Sequence, residues 1–171
     1  MQSSKVEAVY FVHDLADFSI WGSSKPGGLM VPRIVQNPPQ NRLLASLSNA
    51  DYTRLSPHLE PVCLEYKRSL YEVNKPIEFV YFLETGVSSL VNTMANGDAS
   101  EVGTINEGIV GLPILLGDQQ APTSVYMQVP GAGLQMKASL FKEELQHSES
   151  LRTTMLHYAH AFFNQVAQSA A

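Results

Sequence analysis

A chain of 171 residues, 44% apolar and 16% charged, is long enough for one well-packed domain and too apolar to remain unfolded. Its formal net charge of −5 and single cysteine, Cys63, exclude a domain that grips DNA phosphates by itself, a cysteine-held iron–sulfur cluster or Cys-rich zinc site, and a disulfide-stapled scaffold. No apolar run is long enough to span a bilayer, and Glu7, Asp14 and Asp17 fall within what would have to be a signal peptide, so a soluble cytoplasmic protein is expected.

Residues 1–38 read as a poorly structured N-terminal extension. A weakly patterned run from Val6 to Trp21 is followed by Gly22-Ser23-Ser24-Lys25-Pro26-Gly27-Gly28 and later Pro38-Pro39, which is loop and linker chemistry. Met30 stands just ahead of the first patterned segment, and translation starting there would make residues 1–29 an overrun; a Met1 peptide in mass spectrometry of the native protein would exclude this. The main domain is expected over residues 39–146. It opens with a short helix, Arg42-Leu43-Leu44-Ala45-Ser46-Leu47, and a second one capped by Ser48 or Asn49 and running through Tyr52 and Leu55 to Leu59.

After Pro61 the period changes. Strands are expected at Val62 to Tyr66, Leu70 to Val73, Phe79 to Leu83, Val87 to Met94, Glu101 to Ile105, Val125 to Val129 and Leu134 to Ala138. Turn formers separate them at Asn74-Lys75-Pro76, Thr85-Gly86, Asn96-Gly97-Asp98, Glu107-Gly108, Gly117-Asp118 and Pro130-Gly131, a spacing that fits an all-β sandwich or roll. The segment Gly111-Leu112-Pro113-Ile114-Leu115-Leu116-Gly117 is too apolar for a plain loop and suits one helical turn packed on the roll.

Residues 147–171 return to a helical period. Ser148 can cap a helix whose apolar stripe is Leu151, Met155, Tyr158, Ala159, Phe162, Val166 and Ala170. Such a stripe packs either on its own domain or across a dimer. Its length and aromatic content favour the dimer, with Met155, Tyr158, Phe162 and Val166 in the seam; an unchanged oligomeric mass for Phe162→Glu would exclude Phe162 from it.

Two small helices, a β-roll with a Gly-bounded short helix before its penultimate strand, and a long terminal helix form an order that resembles the cyclic-nucleotide-binding domain of Crp/Fnr-type bacterial transcription regulators. Phe79-Val80-Tyr81-Phe82-Leu83-Glu84-Thr85-Gly86-Val87 looks like that family's strand ending in a Gly-led turn. Ile105-Asn106-Glu107-Gly108-Ile109-Val110-Gly111 resembles the approach to its phosphate-binding cassette, with 111–117 in place of the cassette helix. Asn164-Gln165-Val166-Ala167-Gln168-Ser169-Ala170-Ala171 is similar to the dimerisation helix shortly before the helix-turn-helix. The resemblance covers roughly residues 40–171. It implies a mainly β fold with flanking helices, a double-stranded β-roll (jelly roll) with a long dimerisation helix, in a non-enzymatic homodimeric regulator without a cofactor. DNA would be met only through a helix-turn-helix domain missing from this chain, which reads as a fragment or a product cut short.

The family meets a cyclic nucleotide with a cassette Glu on the ribose hydroxyl and an Arg on the phosphate. Here Leu112 follows Gly111 where Glu is expected, and Ala121-Pro122-Thr123-Ser124 stands where an Arg-Ser/Thr-Ala motif belongs. No Arg occurs between Arg68 and Arg152, so no shift of alignment restores the clamp. Losing a charge-assisted contact to a buried phosphate costs a few kcal/mol, on the order of 100-fold in affinity, so cAMP is not expected to bind in the usual mode. The vestigial cassette comprises Gly108, Gly111, Leu112, Pro113, Thr123 and Ser124. The favoured reading is a pocket filled by Leu112, Pro113 and Leu115; an uncharged or apolar effector is the alternative.

Other constellations carry less. His157 and His160 are a helical turn apart, with His147 or Glu149 upstream, but such a pair is more often solvated surface than a metal site. Cys63 or His58 as a haem ligand has no partner ligand. Ser88-Ser89 and Ser124 lack a nearby His in any recognisable motif, Asp98 and Glu101 belong to a hairpin, and no nucleophile elbow, P-loop or H-E-x-x-H occurs. A metal-dependent cupin shares the architecture, yet His13, His58, His147, His157 and His160 all lie outside the expected strands. The reading is therefore a regulatory sensor and dimerisation domain; the alternative is a stand-alone β-roll interaction module with a filled pocket and no small-molecule ligand.

Overall fold

The computed structural model describes residues 39–93 and 99–169. Asn41 starts the first helix, α1 (Arg42–Ala45): its Oδ1 accepts the Leu44 N–H at 2.9 Å, while its Nδ2 donates to the carbonyls of Leu83 (2.6 Å) and Gly108 (2.8 Å). This fully buried amide thus ties the helical entry to two strands, with each polar group satisfied. Ser48 caps α2 (Asn49–Leu55), and a 3-10 turn over Ser56–His58 leads into the sheets.

Among the described residues eight strands follow: β1 (Glu60–Leu64), β2 (Ser69–Tyr71), β3 (Phe79–Leu83), β4 (Val87–Thr93), β5 (Ala99–Ile105), β6 (Gly108–Val110), β7 (Ser124–Val129) and β8 (Gly131–Lys137). They form two antiparallel four-stranded sheets, ordered β1-β8-β3-β6 and β2-β7-β4-β5. This is a β-roll of the expected type. In β7, Val125 and Met127 are buried while Tyr126 and Gln128 are exposed, the alternation of a half-solvated strand. β3 is apolar throughout because both faces are covered: Phe82 meets Phe141 of the helix that follows β8 edge-on at 6.0 Å between ring centroids. The turn into β4 needs Gly86, whose φ is +86° and where a Cβ would lie 2.7 Å from the Val129 carbonyl oxygen.

A single helical turn, α3 (Leu112–Leu115), lies between β6 and β7, and two helices close the chain, α4 (Ala138–His147) and α5 (Glu149–Ser169). Ser148 caps α5 through the Leu151 N–H at 3.1 Å, as its sequence suggests. Two elements lie beyond the sequence reading. β6 is three residues long, and α4 continues straight from β8 with no side-chain cap at Lys137. The expectations for residues 1–38 and for the Asn96-Gly97-Asp98 turn fall outside the described residues, although Thr93 and Ala99 pair on either side of that turn. No helix among the described residues is long and apolar enough to cross a membrane.

Candidate functional site

The segment that would form the cassette is positioned by close packing. Gly111 is buried, and a Cβ there would approach a Val80 methyl to 2.7 Å, so only glycine lets β6 turn into α3 at this distance. Leu112 and Ile114 point inward. Gly117, at φ +96°, ends the turn; the Asp118 N–H then donates to the Pro113 carbonyl at 2.8 Å. The Asp118 Oδ1 accepts the backbone N–H groups of Gln119 (2.7 Å) and Gln120 (3.1 Å), which fixes the loop leading to Thr123.

Between this segment, β4, β5, β7 and α5 lies a cavity of about 460 Å³. The reading favoured from the sequence has Leu112, Pro113 and Leu115 filling the pocket. Leu112 and Pro113 line its wall instead, together with Leu90, Val110, Val125 and Phe162. Val102, Leu116 and Phe163 stand at its rim and are exposed. Polar groups are few. Tyr71 lines the cavity, but its hydroxyl lies 2.8 Å from the Phe79 carbonyl and 2.9 Å from that of Val110, and burial pushes its phenol well above the ordinary tyrosine value. Thr123 and Asp118 complete the polar lining, and among the described residues no Lys, Arg, His or Glu side chain reaches it.

The six cassette residues do not all converge. Gly111, Leu112, Pro113 and Thr123 line the cavity. Ser124 opens instead on a groove with Tyr66, Lys67 and Tyr126, since β7 alternates and Val125 takes the buried face. Gly108 lies beneath Tyr158, at a φ of +134°. Tyr71, Leu90, Val102, Asp118 and Phe163 belong to the site and were not singled out from the sequence, where nothing marks which apolar side chains face a void.

No protein-family model matches this sequence, and no curated protein matches it. Solved structures do. The N-terminal domain of a transcriptional regulator from Streptomyces coelicolor is 16% identical, with a TM-score of 0.54 over 78% of this chain and 91% of that one. A cyclic nucleotide-binding domain from Methylobacillus flagellatus is 13% identical, with a TM-score of 0.62 over 75% of this chain and 78% of that one. The sensor domain of the transcriptional regulator DNR from Pseudomonas aeruginosa is 16% identical, with a TM-score of 0.58 over 74% and 85%. This chain has the cyclic-nucleotide-binding-domain fold. At these identities the likeness carries architecture, and the ligand chemistry has to be read from the site.

In this cyclic-nucleotide-binding-type domain α5 lies on its own roll. Met155 has no exposed surface, Phe162 is 7% exposed, and both belong to the domain's core. Tyr158 and Val166 pack partly buried against that core. The Tyr158 hydroxyl bonds to the backbone at Ile109, and burial, partly opposed by this bond, pushes its phenol up to about 12. The residues expected in an intermolecular seam therefore face inward in this chain. The large apolar side chains that α5 leaves exposed among the described residues are Leu156 (43%) and Phe163 (52%).

The remaining candidates are dispersed. His157 and His160 are exposed, and His160 Nε2 lies 3.2 Å from Asn164 Nδ2. His147 Nδ1 lies 2.8 Å from the Glu143 carbonyl. Ser89 is buried with its hydroxyl 2.6 Å from a Glu101 carboxylate oxygen, and Ser88 donates to the Ile105 carbonyl at 3.4 Å. Cys63 is free and exposed on β1, and His58 is partly buried in the 3-10 turn. Among the described residues no three His, Cys, Asp or Glu side chains cluster as a metal site.

Proposed function

We propose that this chain is the non-catalytic sensor and dimerisation module of a cytoplasmic transcription regulator, and that its effector is not a cyclic nucleotide. The observation that carries the reading is the open cavity at the cassette position, whose lining among the described residues includes no cation. A cyclic phosphate entering it would give up water without gaining a guanidinium or ammonium partner. The likeness to sensor and N-terminal domains of transcriptional regulators supports the regulatory role. The same cavity favours this reading over a filled-pocket interaction module.

Dimerisation by α5 belongs to the same proposal, on a different face from the one read in the sequence. Leu156, His160, Phe163 and Ala167 recur at four- and three-residue steps on the exposed side, the spacing of a two-helix seam. DNA would be contacted by a separate helix-turn-helix domain, since a net charge of −5 gives this chain no phosphate footprint. The deciding experiment is a thermal-shift titration of the full chain with cAMP and cGMP. No shift is expected at concentrations where a ligand present at about 100 times its dissociation constant would add about 2.7 kcal/mol to the folded state. A clear saturable shift with either nucleotide would overturn the reading.

A further inference from the structure

We propose that the cavity between the roll and α5 takes an uncharged, mainly apolar small molecule and rejects anions, an assignment that rests on the sensor reading above. Three observations converge. The first is size: at about 30 Å³ per water-sized group, a cavity of about 460 Å³ holds on the order of 15 non-hydrogen atoms. The second is lining chemistry. Leu90, Val110, Leu112, Val125 and Phe162 form the wall. The Tyr71 hydroxyl is already engaged with two backbone carbonyls, so the Thr123 hydroxyl is the neutral side-chain group left to orient a ligand.

The third observation is charge. Between Lys75 and Lys137 the sequence contains no Lys, Arg or His, while Glu78, Glu84, Asp98, Glu101, Glu107 and Asp118 all fall in that interval. The stretch supplying most of the cavity wall is therefore acidic without exception, and Asp118 lies in the lining itself. Two backbone N–H groups hold Asp118 Oδ1, which keeps the carboxylate fixed at the site. A carboxylate, sulfonate or phosphate on a ligand would lose hydration in an apolar cavity and meet only like charge. A neutral molecule meets neither cost, and it covers Phe163, which is half exposed at the rim.

A matched pair of fluorescent probes tests this on the full chain: N-phenyl-1-naphthylamine, which is uncharged, and 8-anilinonaphthalene-1-sulfonate, which adds one sulfonate to the same skeleton. The neutral probe should bind saturably near one per chain, and the sulfonate at least tenfold more weakly. Asp118→Asn should narrow that ratio at least threefold. Thr123→Trp in the loop and Val102→Trp on the exposed rim should each weaken the neutral probe at least tenfold from opposite sides of the cavity, so the assignment does not hang on one variant folding. Equal binding of both probes, with both tryptophan variants blocking them, would keep the cavity as the ligand site and overturn its selectivity for uncharged molecules. Absence of saturable binding by either probe, or binding that neither tryptophan variant affects, would overturn the site and the sensor reading with it.

Discussion

Asp51 holds two helices by their N-termini. Its Oδ2 accepts the Ser48 hydroxyl at 2.7 Å, and Ser48 caps α2 by accepting the Asp51 N–H at 3.1 Å. Its Oδ1 accepts the hydroxyl of Ser148, the cap of α5, at 2.5 Å. The Ser148 hydrogen bond is the largest influence on this carboxyl and holds it below the usual carboxylate value; burial opposes the effect, and Ser48, Ser150 and Arg54 reinforce it. With the folded value below the unfolded one, the linked stability is complete above about pH 3.9 and is lost as pH falls through the folded value. Asp51→Asn should cost about 1–2 kcal/mol at pH 7 and flatten the loss of stability below pH 4, measured by urea unfolding at pH 7 and 3.5. An acid limb as steep as the parent's would remove Asp51 from this role. Both serines were legible as caps, each from its own few residues. That one carboxylate joins them was not, because Ser148 lies 97 residues along the chain from Asp51.

At the scale of elements, local pattern succeeded where period and turn chemistry were unambiguous. β3 over Phe79–Leu83 stands as read, and the Gly-bounded turn α3 and the Ser148-capped helix α5 are where the sequence places them. α4 escaped because β8 runs into it without a turn former or a cap; its only mark is the pair Phe141 and Leu145, buried one turn apart. β6 escaped because three residues show no period, and it is held by tertiary bonds instead. Those bonds meet at Gly108, whose carbonyl accepts from Asn41 and whose Cα lies under Tyr158. A methyl at Gly108 would overlap the Tyr158 hydroxyl, and a φ of +134° already disfavours any side chain there. Gly108→Ala should therefore destabilise the domain by about 1–3 kcal/mol. Tyr158→Phe in the same chain should restore part of that loss, since it removes the nearest of three overlapping atoms and leaves two ring carbons at 2.5 Å. Strictly additive unfolding free energies for the double variant would show that the two groups do not meet.

At the scale of the whole molecule, the proposed function turns on a void among the described residues that the sequence did not reveal. Leu112 and Pro113 are equally at home as plugs or as walls, and the outcome depends on where α5 lies over β5. Gly103 sets that spacing: a Cβ there would come within 3.1 Å of a Val166 methyl, so glycine lets the helix end lie close to the strand. Phe163, one helical turn before Ala167, then serves two surfaces, the cavity rim and the exposed stripe with Leu156. If the chain binds a ligand and pairs through α5 as proposed, this would supply a physical route from ligand to assembly, because a molecule that draws Phe163 over the cavity alters the side chain offered to a second copy. The two α5 faces make separable predictions. If α5 pairs two copies as proposed, Leu156→Glu should reduce the mass in light scattering to that of one chain while leaving the thermal midpoint of the domain within about 2 °C. Phe162→Glu should instead unfold the domain's own packing, losing about 3 kcal/mol or more, because that ring is in the core. Phe163→Ala should change both oligomeric mass and neutral-probe affinity, whereas Leu156→Glu changes mass alone. A Phe163→Ala protein that binds the probe like the parent would disconnect the cavity from the seam, and a Leu156→Glu protein that keeps its dimer mass would place the seam elsewhere.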